Sequence, residues 1–279
     1  MKTIGVIGAG TMGSGIAHVF ARAAHSVILC DVEQAFLDRG IETIRKNLGR
    51  EVTAGKLSQQ DADLAHGRIQ GSLNLAPVTE CDLVIEAATE KFEIKAKILR
   101  EIESLAGDQT IIATNTSSIS ITRLAGLAKR AHRVIGMHFF NPVPVMKLVE
   151  IVRGLATSNE VNDAVMELAK NLGKTPVAVN DSPGFASNRI LMPLINEAIF
   201  TVMEGVATAQ AVDEVFKLGM AHPMGPLAVA DLVGLDVCLD VMRVLETDLG
   251  PKFKPCPLLV RMVDAGWTGK KSGRGFYQY

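Results

Sequence analysis

The segment from Thr3 to Asp31 constrains the fold more than any other part of the chain. An apolar run, Thr3-Ile4-Gly5-Val6-Ile7, has the length and β-branched content of a buried strand, and it meets the glycine turn Gly8-Ala9-Gly10-Thr11-Met12-Gly13. An amphipathic stretch follows from about Thr11 to Arg22, and a second apolar run, Ser26 to Cys30, ends on Asp31. In the G-x-G-x-x-G pattern the first glycine permits a tight turn and the second lets backbone approach a pyrophosphate. The third lets the helix lie close on its strand. A helix starting at Thr11 directs unpaired N–H groups at such a pyrophosphate. Gly8, Gly10, Thr11, Met12 and Gly13 are therefore candidate cofactor-binding residues. Asp31 follows Gly13 by 31 − 13 = 18 residues, close to the spacing of an acid that accepts ribose hydroxyls. A glycine turn alone is weak, and Asp31 alone reads equally as a loop acid or helix cap. The ordered succession of all five parts favours a dinucleotide site.

Bulk properties exclude other classes. An apolar share of 48% over 279 residues supports a sizeable core and about two domains. The net charge of −1 offers no basic surplus for nucleic acid. No apolar run approaches the ~20 residues of a membrane span, and the chain opens on a core strand rather than a signal peptide. Cys30, Cys81, Cys238 and Cys256 are widely spaced without a C-x-x-C, so a cytoplasmic location is expected. The histidines show no metal-ligand spacing, and no metal is expected.

Strands and helices alternate through residue 181. A polar, helix-patterned insertion from about Glu33 to His66, turning at Ala54-Gly55, reads as a helical hairpin leaving the sheet. Apolar strands follow at Asp82–Glu86, Thr110–Thr114, Arg133–His138, Leu148–Val152 and Thr175–Val179, with a helix at about Lys91 to Leu105. This order predicts a Rossmann-type α/β fold, a doubly wound, mostly parallel sheet. At Asn180-Asp181-Ser182-Pro183-Gly184 the pattern changes, and Ile190, Leu191, Leu194, Ile195, Ala198, Ile199 and Val202 recur at helical steps. Ser182 with Pro183 reads as the cap of that helix. Residues 1–181 are expected to form the nucleotide-binding domain and 182–279 an all-α domain. The apolar faces of the latter exceed what one small bundle buries, which points to a homodimer interface.

Ligands of open α/β sheets bind beyond the carboxyl ends of the strands. Three polar clusters fall there: Ala88-Thr89-Glu90, Asn115-Thr116-Ser117-Ser118 and His138-Phe139-Phe140-Asn141-Pro142. Residues such as Asn115 to Ser118 also favour turns and helix caps. His138 has a potential partner in Glu150, 150 − 138 = 12 residues on and inside an apolar strand. The turn Asn141-Pro142-Val143-Pro144 allows the two segments to lie side by side. A buried acid is costly unless paired. Such a pair would orient the imidazole and stabilise its protonated form, as a general base for an alcohol proton requires. A purely structural His–Glu pair satisfies the spacing as well.

The runs GAGTMGSGIA, CDLVIEAATE, NTSS, GMHFFNPVPVMKLVEIVRG, SPGFASNRI, HPMGPLAVADLVGLD and GKKSGRGFYQY extend from residue 8 to residue 279. Together they resemble the short 3-hydroxyacyl-CoA dehydrogenases, of the 3-hydroxybutyryl-CoA type, over essentially the whole chain. HFFNP and PGF-x-x-NR are the specific motifs. The resemblance implies an NAD-binding domain followed by a helical dimerisation domain and NAD-linked oxidation of an (S)-3-hydroxyacyl-CoA. It implies that His138 is the base, that Glu150 orients it, and that Ser117 and Asn188 touch the reacting end of the substrate. It carries cofactor contacts to Asp31, Glu90, Lys95, Asn115, Ser117, Asn141 and Lys271. Basic residues on the hairpin are implied to meet CoA. Arg50 stands where related enzymes often have lysine and Ala54 replaces another, with Lys46 and Lys56 nearby. A 6-phosphogluconate-type hydroxyacid dehydrogenase is the enzymatic alternative, but its catalytic lysine after a Gly-Gly pair is absent. A non-catalytic crystallin-like protein is the other, and the intact His138, Glu150, Ser117 and Asn188 argue against it.

Overall fold

The computed structural model describes residues 1–279, which divide into two compact units, Met1–Asp181 and Ser182–Tyr279. The first unit is built on eight strands: β1 (Thr3–Ile7), β2 (Ser26–Cys30), β3 (Ile69–Ser72), β4 (Leu83–Glu86), β5 (Ile111–Thr114), β6 (Val134–Phe139), β7 (Leu148–Arg153) and β8 (Thr175–Asn180). They form one sheet in the order β3-β2-β1-β4-β5-β6-β7-β8. Every pairing is parallel except β6 with β7. The switch point of the topology is the gap between β1 and β4, where the order reverses.

The helices of this unit are α1 (Thr11–Arg22), α2 (Gln34–Thr53), α3 (Gln59–Gly67), α4 (Phe92–Leu105), α5 (Ile121–Ala125) and α6 (Asn159–Asn171). Central strands bury both faces, so β1, β4 and β5 are apolar without alternation until the last residues of β4 and β5, Glu86 and Thr114. The α2–α3 hairpin turns at Gly55, whose φ of +68° suits glycine. It does not stand clear of the sheet: Leu37, Ile44, Leu48, Ala62 and Ala65 belong to the same core as Ile16 and Phe20 of α1. Its return adds β3, a strand that Ile69-Gln70-Gly71-Ser72 does not announce. That run is short and half polar because β3 is an edge strand with two exposed residues. No helix is long and apolar enough to cross a membrane.

The second unit contains α7 (Ser187–Met203), α8 (Ala209–Glu214), α9 (Pro226–Val233), α10 (Leu235–Leu249) and α11 (Pro257–Asp264). Its core gathers Met192, Ile195, Ile199, Leu227, Leu239 and Leu245. The expected cap at Ser182 is corrected: α7 begins at Ser187, and Ser182 instead opens a turn closed by the Phe185 N–H on its carbonyl at 2.8 Å. Gly184 and Phe185 have φ of +74° and +50°, which no helical first turn tolerates. Two buried aspartates lock the C-terminal segment. Asp213 accepts from the N–H groups of Leu227 and Ala228 at the start of α9 and from the Tyr277 hydroxyl. Asp231 accepts from the N–H groups of Phe276 and Tyr277.

Candidate active site

The glycine turn meets each of the three needs differently. Gly8 has φ of +102°, and a Cβ there would lie 2.8 Å from the Ala87 carbonyl oxygen. A Cβ on Gly13 would lie 1.7 Å from the Gly8 carbonyl oxygen, so α1 approaches its strand as only glycine permits. A Cβ on Gly10 would meet nothing within 4 Å, which leaves room for a ligand over that backbone. No side chain caps α1 at Gly10, so its first N–H groups are available to an anion. These features fit a pyrophosphate. Asp31, at the end of β2, accepts from the Ala9 N–H at 2.8 Å through Oδ2 and from the Glu33 N–H at 3.3 Å through Oδ1. The acid thus braces the glycine turn.

His138 and Glu150 face each other across the antiparallel β6–β7 pair, where directly opposed side chains share one face. Nδ1 of His138 lies 2.8 Å from Oε2 of Glu150, and the residues are 7% and 2% exposed. In the protonated imidazole Nδ1 donates and the carboxylate accepts. The Phe140 ring stacks at 4.6 Å, tilted, on the imidazole. The turn after β6 is held from outside by Lys174, whose ammonium donates to the carbonyls of Val143 and Met146. Burial lowers the Lys174 pKa, with Arg22 adding to the effect.

The Asn115–Ser118 loop leaves β5 beside this pair. The Asn115 side-chain oxygen accepts from the Phe139 N–H at 2.9 Å, tying the loop to the end of β6. Glu90 holds the other side. Its Oε1 accepts from the Thr116 hydroxyl at 2.5 Å and from the N–H groups of Ser117 and Ser118 at 2.7 and 3.1 Å. Both serine hydroxyls also donate to it. Burial alone would raise the Glu90 pKa, but Lys95 and these hydrogen bonds outweigh it and hold the carboxyl below its usual range.

The structure brings Ser117, His138, Glu150, Asn115, Glu90 and Asn141 to the carboxyl ends of β4, β5 and β6. It gives Lys95 a setting that its motif did not reveal. Lys95 is 2% exposed, with Nζ 2.8 Å from Glu86 and 3.3 Å from Glu90. Asn188 lies in the first turn of α7. Lys271 is exposed and ion-paired with Asp236 at 2.6 Å. On the hairpin Lys46 is 3.7 Å from Glu42 and Arg50 donates to Asn47 at 3.2 Å, while Lys56 is exposed. Glu86 and Thr116 lie inside the runs CDLVIEAATE and NTSS, which give neither a role of its own. The signal for Glu86 was an acid closing the otherwise apolar run Leu83-Val84-Ile85. No group of acidic, histidine or cysteine side chains is arranged to hold a metal.

Residues 3–182 match the family model described as 3-hydroxyacyl-CoA dehydrogenase, NAD binding domain, and residues 184–279 match that described as 3-hydroxyacyl-CoA dehydrogenase, C-terminal domain. A Bacillus subtilis protein named "Probable 3-hydroxybutyryl-CoA dehydrogenase" is 52% identical over 280 residues, covering 100% of this chain and 98% of its own. The 3-hydroxybutyryl-CoA dehydrogenase of Bradyrhizobium diazoefficiens is 49% identical, with 100% and 96% coverage. The crystal structure of (S)-3-hydroxybutyryl-CoA dehydrogenase PaaH1 from Ralstonia eutropha is similar at a TM-score of 0.97 and 50% identity, covering 100% of this chain and 99% of that one.

Proposed function

Because the chain belongs to the 3-hydroxyacyl-CoA dehydrogenase family, we propose that it oxidises (S)-3-hydroxyacyl-CoA, with 3-hydroxybutyryl-CoA as substrate, to the 3-oxoacyl-CoA and catalyses the reverse reduction. The observation that carries this reading is the buried His138–Glu150 pair, 2.8 Å apart, on the sheet that also carries the glycine turn. NAD(H) when bound supplies the hydride acceptor or donor. Gly8, Gly10, Thr11, Met12 and Gly13 would hold its pyrophosphate and Asp31 its adenosine ribose. Glu90, Asn115, Ser117, Asn141 and Lys271 would be its further contacts, with Lys95 behind Glu90.

His138 takes the C3 hydroxyl proton at Nε2, on the far side of the ring from Glu150, and returns it in the reduction. Glu150 keeps the ring oriented and stabilises the imidazolium. Ser117 and Asn188 hold the hydroxyl and thioester oxygens, so the reacting carbon is aligned before proton transfer. Arg50, Lys46 and Lys56 would meet the phosphates of CoA.

The same reading includes a homodimer formed through residues 182–279. Large apolar side chains there are exposed, among them Ile190, Val206, Leu218 and Leu232, and such surface marks association. Sedimentation at assay concentration checks it, and a fully active monomer would reject it. The four cysteines are free thiols, which suits the cytoplasm.

The test of the catalytic reading is His138→Gln. Its kcat for acetoacetyl-CoA reduction should fall by about 10²–10⁴, the usual contribution of a positioned acid or base, with NADH affinity retained. A folded variant keeping more than half of the wild-type kcat would refute the role.

A further inference from the structure

Behind the loop that carries Ser117 runs a relay of charged groups whose innermost member, Glu86, the mechanism leaves unassigned. Glu86 closes β4 and is 3% exposed. Its two carboxylate oxygens lie 2.9 and 2.8 Å from the buried ammonium of Lys95. Two further donors hold it in place, the Thr114 hydroxyl at 2.7 Å and the Ala88 N–H at 2.7 Å. Glu86 and Thr114 are register partners on adjacent strands, so the relay is rooted in the centre of the sheet.

Lys95 extends the relay outward to Oε2 of Glu90 at 3.3 Å. Glu90 is 38% exposed in its side chain, and its other oxygen, Oε1, gathers Thr116, Ser117 and Ser118. A buried ion pair is weak as a source of stability, since apolar side chains of equal volume often serve as well. What apolar side chains could not do is hold a cation at a set distance from Glu90. Without the charge of Glu86, the ammonium of Lys95 would have Glu90 as its only anionic partner. It would then draw that carboxylate away from the loop.

We propose that Glu86, seconded by Thr114, is a positioning residue for the dehydrogenase reaction, setting the place of Ser117 through Lys95 and Glu90 while touching neither substrate nor cofactor. This rests on the reading of Ser117 as a substrate contact.

The test is a double-mutant cycle. Acetoacetyl-CoA reduction is followed by NADH oxidation in wild type, Glu86→Gln, Thr114→Val, Glu90→Gln and the two pairings with Glu90→Gln, each checked for its thermal midpoint. Glu86→Gln should lower kcat about tenfold or more, and Thr114→Val should lower it by less. KM for acetoacetyl-CoA should move less than about threefold in each. With Glu90 already replaced, Glu86→Gln should have a further effect under about twofold. A residue that serves only folding would lower activity by the same factor in either background. If Glu86→Gln does not fold, the Thr114→Val cycle reads the same coupling through loss of a single hydroxyl. Additive effects, or an unchanged kcat in folded Glu86→Gln, would overturn the proposal. A wild-type protein inert toward acetoacetyl-CoA would instead remove the reading of the active site, and this proposal with it.

Discussion

Replacing Glu150 by Gln keeps the shape of the side chain and removes its charge from a buried partner at 2.8 Å. The coulombic attraction between full charges at that distance, with an effective dielectric near 20, is about 6 kcal/mol. In the transition state the imidazole carries only part of its eventual charge. Taking about half gives ~3 kcal/mol of stabilisation specific to that state. The amide still offers a neutral hydrogen bond, which offsets up to about 1 kcal/mol. The net loss of about 2–3 kcal/mol corresponds to a fall in kcat of roughly 30- to 150-fold, at 1.36 kcal/mol per decade. Salt should not rescue it, because the pair is buried and little screened. The assay is initial-rate NADH oxidation at saturating acetoacetyl-CoA, with NADH affinity from fluorescence titration and a thermal melt as the folding control. A folded Glu150→Gln enzyme within twofold of the wild-type kcat would refute the reasoning.

Other outcomes follow from the same geometry. Asp31 should make the enzyme prefer NAD(H) over NADP(H) by at least about tenfold. A 2′-phosphate ~4 Å away would meet a like charge worth about 4 kcal/mol before screening; equal kcat/KM for the two cofactors would count against this. Arg50→Glu should raise KM for acetoacetyl-CoA, more so at low salt, and leave KM for NADH nearly unchanged. Parallel changes in both constants would remove Arg50 from CoA binding. Burial pushes the thiols of Cys30 and Cys81 up to about 11 and about 12, and Cys238 also to about 12. At pH 8 the native protein should therefore show no fast-reacting thiol toward a disulfide reagent, with all four released on denaturation. A rapidly labelled thiol in the native protein would contradict that burial.

Where one interaction dominates a segment, its structure is legible in the sequence. The glycine turn, the apolar strands and Asp31 follow from steric and apolar constraints that act within a few residues. The His138–Glu150 pairing was also accessible, because an acid inside an apolar strand has few ways to be satisfied. Strand β3 was not, since an edge strand needs neither an apolar run nor alternation. Ser182 carried the chemistry of a helix cap, yet the backbone at Gly184 and Phe185 turns the other way. Local composition cannot report a φ that the rest of the unit imposes. The Glu86–Lys95–Glu90 relay was hidden for a third reason. Its members lie on β4, α4 and the loop between them, and their partners Thr114 and Thr116 come from a separate part of the chain. Only the parallel register of β4 with β5 brings them together. The resemblance gives Lys95 as a cofactor contact, but only the structure shows that it is buried and paired with Glu86.

The thioester assignment is tested most directly by comparing kcat/KM for acetoacetyl-CoA and for free acetoacetate at fixed NADH. The CoA moiety supplies remote binding energy that can align the reacting carbon, and the free acid places a carboxylate where the site expects a neutral thioester. The expected result is a preference for the CoA ester of at least about a hundredfold, narrowing as salt rises. Comparable values for the two substrates would contradict the assignment of a 3-hydroxyacyl-CoA substrate to this chain.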